Sequence, residues 1–364
     1  MRYAVIMAGG AGTRLWPMSR TGKPKQLLRF IPDEAGGQAR SLLQIAAQRL
    51  RGLVAPENIY VCTGAAYAHQ VLADLPLLPA AQLLGEPMGR DTANAVGFSA
   101  AILHKRDPDA LFAVLTADHI IEPLDTFQAL MNKGFDAVEK HPETLVTFGI
   151  TPTAPATGFG YVQRGAEIED CPGVFRVRSF KEKPDEETAR QYLATGTYAW
   201  NSGMFVWKAA TILEQLRLHL PAAHDGLMKI AAAWGTPRQE EVLHALYPTL
   251  PKVSIDVAVM EKAPSVATIA MPVKWLDVGS WPAFAQTLHA DPFGNRTNGP
   301  AVHMGSTNVL SVTEDPSHLV ATINCDGLII IHTPGATLVC PAADAEKIKA
   351  LVAQVETTQG KSFI

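Results

Sequence analysis

The 364-residue chain is 47% hydrophobic and 18% charged, an ordinary globular balance with room for about two domains. Its formal net charge of −4 gives no electrostatic case for nucleic acid or an anionic membrane as partner, so an anionic ligand has to be held by charges placed one by one. Four scattered cysteines, Cys62, Cys171, Cys325 and Cys340, offer no CxxC pair and read as free thiols without a disulfide, and with no apolar run long enough for a signal peptide or a membrane span the expected compartment is the cytoplasm.

The first element is a buried strand, Tyr3 to Ala8, running into Gly9-Gly10-Ala11-Gly12-Thr13-Arg14-Leu15-Trp16-Pro17. Glycines at this density free backbone N–H groups to surround an anion. Arg14 adds a bidentate grip for phosphate oxygens, and Lys25, in Lys23-Pro24-Lys25-Gln26, a point charge. Neither common phosphate loop fits: the position three after Gly12 is Leu15 rather than glycine, and Gly12 is followed by Thr13-Arg14 rather than Lys-Ser/Thr.

Further strands are predicted over Asn58–Cys62, Leu111–Ala117 and Leu145–Ile150, alternating with helices over Leu42–Leu50, Ala66–Leu75, Thr92–Lys105 and Thr126–Lys140. Such alternation predicts an α/β fold with a doubly wound, mostly parallel sheet, whose ligands lie outside the carboxyl ends of the strands. The glycine loop and Thr116-Ala117-Asp118-His119 should therefore face one crevice. From about Thr151 the pattern is mixed: extended segments at Tyr161–Arg164, Val174–Lys181 and Gly203–Trp207, helices at Glu186–Ala194 and Ala209–Leu218. Pro292, Gly294, Asn295, Asn298, Gly299 and Pro300 read as a turn-rich linker. Short apolar runs follow (Asn308–Val312, Leu319–Ile323, Leu328–Ile331, Thr337–Val339), then an amphipathic helix from about Asp344 to Val355, with no clean internal repeat.

Two aspartates stand at predicted strand ends, Asp118 in Leu-Thr-Ala-Asp-His and Asp277 in Trp-Leu-Asp-Val-Gly. A carboxylate there suits a hard cation, and equally suits a turn or helix cap. In Phe180-Lys181-Glu182-Lys183-Pro184, an extended backbone would aim Glu182 and Lys183 at opposite faces. Gly158-Phe159-Gly160 and Trp200-Asn201-Ser202-Gly203 combine close-approach glycines with an amide that both donates and accepts. Asp256, after Ser254-Ile255, reads first as a residue near the positive end of a capped helix.

The loop from Val5 to Pro17, continued by Ser19-Arg20 and Pro24-Lys25-Gln26, resembles the signature of the sugar-1-phosphate nucleotidyltransferases, in particular their mannose-1-phosphate guanylyltransferase branch. The resemblance is dense over residues 1–289 and thins beyond. It implies a Rossmann-like nucleotidyltransferase domain over 1–289 with a sugar-binding lobe at about 151–289. The segment 290–364 would form a small C-terminal left-handed β-helix-like domain plus the terminal helix, and would carry homodimer contacts. The implied substrates are GTP and mannose 1-phosphate, with Mg2+ on Asp118 and Asp277. Arg14, Lys25 and Lys183 become the catalytic cations. Ala8, Gly9, Gly10, Gly12, Thr13, Arg14, Glu86, Gly89 and Asp91 become the nucleotide site, and Gly160, Glu182, Lys183, Asn201 and Asp256 the sugar-phosphate site. Glu86 is the reader of guanine, since an acceptor-only carboxylate can meet both N1–H and the exocyclic amine. The branch usually has Asn at position 91 and Pro at 94, where this chain has Asp and Asn. The absence of an isomerase region after the tail implies a monofunctional enzyme.

Overall fold

The computed structural model describes residues 1–10, 12–31 and 39–364. These form two compact units, Met1–Gly9 with Ala46–Ala117 and Ile121–Trp275, and Gly10–Ile45 with Asp118–Ile120 and Leu276–Ile364.

The first unit is built on a nine-stranded sheet. Its strands are β1 (Arg2–Ala8), β2 (Ile59–Gly64), β3 (Leu83–Glu86), β4 (Leu111–Thr116), β5 (Leu145–Ile150), β6 (Tyr161–Glu167), β7 (Val174–Lys181), β8 (Tyr198–Lys208) and β9 (Val266–Ala270), in spatial order β3-β2-β1-β4-β8-β5-β9-β7-β6. Only β8 and β7 run against the rest, so the expected mostly parallel sheet is present. Tyr3, Val5, Phe112 and Val114 are buried with Ala93, Phe98 and Leu103 of the helix Asp91–Arg106. Strands covered in this way read as continuous apolar runs rather than alternating ones. Strand β8 is longer than predicted, and its register against β5 slips between Asn201 and Phe205, where Gly203 takes φ 68°. Such a bulge re-aims neighbouring side chains, here that of Asn201.

In the second unit the strands Arg296–Asn298, Leu310–Thr313 and Leu328–Thr333 stack in parallel, closed by the antiparallel Ala336–Pro341, while Ala301–Met304 lies parallel to Val320–Ile323. The predicted linker at 292–300 is thus corrected: it contains the first strand of this coil, because its Gly and Asn residues form corners rather than a free turn. Gly305 and Asn324, both left-handed at φ 61° and 50°, sit one above the other, so only a residue without Cβ fits under the Asn324 amide. Rungs are 14 residues apart at Asn295 and Val309 but 19 apart at His303 and Thr322. The tail continues as a 3₁₀ segment Ala342–Lys347 and an α-helix Ile348–Gln359. Leu15, Trp16, Val278, Trp281, Ile329, Ile331, Ile348 and Val352 share one buried core, so the segment after the glycines and the tail fold as one body. Among the described residues no helix is long and apolar enough to cross a membrane, and all four cysteines are free.

Candidate active site

The predicted site residues divide between the two units, and each set has its own local logic. In the second unit, Gly12 takes φ 65°, and a Cβ there would lie 2.5 Å from Cβ of Lys25. Only glycine satisfies both conditions. The Ser19 hydroxyl donates to the Gly12 carbonyl at 2.6 Å, and the turn Thr13–Leu15 presents Arg14. Gly10 has φ 93° with open space where a side chain would be; Ala11 lies outside the described residues.

Lys25 forms an ion pair with Asp118, both side chains largely buried. The backbone N–H of Val278 donates to the carbonyl of Asp118 at 3.0 Å, which brings Asp277 alongside. Oxygen or nitrogen ligand atoms of Asp118, His119 and Asp277 lie within 4.8 Å of one another. Burial pushes the Asp118 carboxyl up, but Lys25 overrides it and holds the group at about 2. Burial in turn pulls the Lys25 ammonium down, and the charges of Asp118 and then Asp277 override it, leaving the group raised. Two carboxylates and a fixed ammonium thus stand together, Lys25 interacting with both Asp118 and Asp277. Arg14 Nη1 donates to both carboxylate oxygens of Glu346, at 3.1 and 3.3 Å. The other group of ligand type among the described residues, His141, Asp170 and Cys171, includes a thiol that burial and Asp170 push up, which disfavours the metal-binding thiolate.

In the first unit, Ala8 ends β1 and accepts the Thr63 hydroxyl at 2.9 Å. Glu86 ends β3, buried: Oε1 accepts the Tyr247 hydroxyl, and Oε2 lies 4.0 Å from the point a Cβ on Gly9 would occupy. Burial raises the Glu86 carboxyl, and the Tyr247 bond works against that rise. Gly89 has open space where a Cβ would stand. Asp91 has φ 66°, a conformation Asn and Asp tolerate best, and its carboxylate accepts the N–H of Thr92 at 2.8 Å. Asn94, standing where the family branch has proline, donates from Nδ2 to the carbonyls of Arg90 and Pro251, 2.7 Å each.

The five residues predicted for the sugar-phosphate site converge. Asn201 Oδ1 accepts the Thr147 hydroxyl at 2.8 Å while its Nδ2 donates to Asp256 Oδ1 at 2.9 Å, which fixes the orientation of the amide. A Cβ on Gly160 would stand 2.6 Å from Glu182 Oε2 and 3.4 Å from Cβ of Asn201. Lys183 Nζ donates to Glu182 Oε1 at 2.8 Å. That last contact corrects the sequence expectation of opposite faces: β7 ends at Lys181 and Lys183 takes φ 43°, so the left-handed kink folds both side chains to one side. Asp256 opens a π-helical turn, Asp256–Met260, rather than an ordinary α-helix. Burial, then the charge of Glu182, raises its carboxyl to about 7. Phe159 packs against Trp200 and Trp275 with ring centres 5.1 Å from each, an aromatic wall on the same lobe.

Sequence reading missed Tyr247, Glu261 and Glu346. Glu261 Oε1 accepts the backbone N–H of Glu182 at 2.9 Å and so holds the turn that carries Lys183. None of the three sits in a motif, and their partners are 161, 79 and 332 residues away, so no local signal marks them.

Residues 3–292 match the family described as nucleotidyl transferase. The chain belongs to that family. Residues 299–355 match a MannoseP isomerase/GMP-like beta-helix domain, in agreement with the parallel coil. The nucleotidyl transferase is 35% identical over 359 residues to the xanthan biosynthesis protein XanB of Xanthomonas campestris pv. campestris strain B100, covering 97% of this chain and 73% of that one. It is 36% identical over 371 residues to a mannose-1-phosphate guanylyltransferase of Escherichia coli, covering 100% of this chain and 76% of the relative. A crystal structure named as a mannose-1-phosphate geranyltransferase, from Thermus thermophilus, superposes with a TM-score of 0.84 at 32% identity, over 98% of this chain and 99% of that one.

Proposed function

We propose that this enzyme converts GTP and α-D-mannose 1-phosphate to GDP-mannose and pyrophosphate. The observation that carries the reading is the near-full-length similarity to relatives named mannose-1-phosphate guanylyltransferase, joined to the convergence of Gly160, Glu182, Lys183, Asn201 and Asp256 in the lobe.

The sugar phosphate is already an anionic nucleophile, so no general base is needed, and catalysis reduces to alignment and charge stabilisation. Its oxygen attacks the α-phosphorus of GTP as the bond to the departing pyrophosphate breaks. Lys183 holds the sugar phosphate; Glu182 and Asp256 accept or share protons with sugar hydroxyls. Arg14 and the backbone N–H groups of Gly9, Gly10, Gly12 and Thr13 hold the nucleotide phosphates, and Lys25 adds charge beside Asp118. Glu86 accepts from guanine, with Tyr247 fixing its other oxygen, while Ala8, Gly89 and Asp91 shape the base loop. Asp118 and Asp277 are oxygen donors close enough to share one hard cation. Mg2+ held there would supply Lewis-acid charge to the phosphate oxygens. We further assign the enzyme to the cytoplasm, as a homodimer contacting through residues 290–364, with 1–289 as its catalytic domain.

The test is isotopic. Mannose 1-phosphate carrying 18O at all phosphate-group oxygens should deliver every labelled atom into GDP-mannose; label in the pyrophosphate would overturn the proposed nucleophile.

A further inference from the structure

We infer that Glu346 is a positioning residue for the nucleotide: from the C-terminal segment it holds the Arg14 guanidinium ready for phosphate. The inference rests on the assignment of Arg14 to the nucleotide phosphates and extends it to a residue outside every motif.

Both carboxylate oxygens of Glu346 approach the same nitrogen, Nη1, at 3.1 and 3.3 Å. Nη2 lies 3.2 Å from the point a Cβ on Gly279 would occupy, so the guanidinium sits between Glu346 and the turn that follows Asp277. A guanidinium has five donors in a planar fork, and one nitrogen engaged by a carboxylate leaves the others for phosphate oxygens.

Independent contacts fix the platform. Trp16 Nε1 donates to the Phe363 carbonyl at 2.7 Å, and Trp281 Nε1 donates to the Trp16 carbonyl at 3.0 Å. Leu15 and Trp16 share a buried core with Ala345, Ile348 and Val352, which flank Glu346. The tail therefore reaches the phosphate loop at both its backbone and its charged side chain. Arg14 and Glu346 are exposed by 43% and 73%, so their pairing contributes little to stability and its effect falls on orientation. A long side chain already ordered before binding loses less rotamer freedom when ligand arrives.

The experiment uses the full chain and whichever nucleoside triphosphate the parent turns over best, so an error in base or sugar assignment leaves it intact. Glu346→Ala should raise the nucleotide KM about fivefold. The sugar-phosphate KM and the thermal midpoint should stay at parent values, and Glu346→Asp should restore part of the loss. In an Arg14→Ala background, Glu346→Ala should have no further effect. The inference is overturned if the nucleotide KM is unchanged or falls, if the two substitutions act additively, or if both KM values and the midpoint shift together, which would mean that the carboxylate only docks the tail.

Discussion

Asn201 donates from Nδ2 to the carboxylate of Asp256 across 2.9 Å, joining strand β8 to a π-helical turn 55 residues further on. The Asp256 carboxylate pays for its place by titrating near 7, driven first by burial and then by Glu182, with Lys183 and Asn201 pulling the other way. Its unfolded value is about 3.9. A carboxyl whose folded pKa is raised contributes stability that is present at low pH and lost as pH climbs through the folded value. Parent stability relative to Asp256→Asn should therefore fall from about pH 4 to about pH 7 and level off above. Urea midpoints of the two proteins at a series of pH values across that window and beyond it check this; a gap that does not change with pH refutes it.

Gly160→Ala tests the proposed sugar lobe without threatening the fold. The new methyl would stand 2.6 Å from Glu182 Oε2, the mobile end of a flexible side chain, so the carboxylate moves rather than the backbone. Small misplacements in a binding constellation cost about ten- to a hundredfold in specificity constant. The loss is expected in kcat/KM for mannose 1-phosphate, with a thermal midpoint near the parent's. An unaltered specificity constant would remove Glu182 from the sugar site.

Asp118→Asn and Asp277→Asn should each lower turnover by about a hundredfold or more, since each removes a carboxylate proposed for the cation. Because Lys25 holds Asp118 at about 2 against the effect of burial, Asp118 stays ionised throughout the neutral range. The acid limb of the pH–rate profile should accordingly not report Asp118 at any pH above about 4. Steady-state rates at a series of Mg2+ concentrations decide the matter: parent-like turnover by either variant at limiting Mg2+ excludes that residue from the site.

Base recognition gives a subtler expectation. Glu86 Oε1 already accepts from Tyr247, and the second oxygen faces Gly9; on the proposed reading it is this second oxygen that accepts from guanine. Glu86→Gln puts an amide donor into that pair of positions, and a donor facing a donor in a buried site costs about 1 to 3 kcal/mol. GTP should lose that much of its advantage over ITP, which lacks the amine. Equal GTP to ITP ratios in parent and variant would move the recognition of guanine to backbone groups near Gly89 or to Asp91.

Much of the molecule is legible in the residues themselves. The run from Val5 to Trp16 announces a strand ending at glycines, and the alternation that follows announces the parallel core of the sheet. The kink at Lys183 is not legible, because a residue before proline is expected to be extended and here is left-handed. Nor is the coil, whose rungs change from 14 to 19 residues and whose corners look like a linker in composition. Tyr247 and Glu346 gain their roles only when the chain brings them to Glu86 and Arg14, a tertiary relationship that no local pattern encodes.

The central claim is the reaction itself, and pyrophosphate release measured for GTP, ATP, UTP and dTTP, each crossed with mannose, glucose, galactose and N-acetylglucosamine 1-phosphates, tests it most directly. GTP with mannose 1-phosphate should give the highest kcat/KM of the set, with GDP-mannose as the product. A higher specificity constant for any other pair, or no pyrophosphate release from GTP and mannose 1-phosphate, would contradict it.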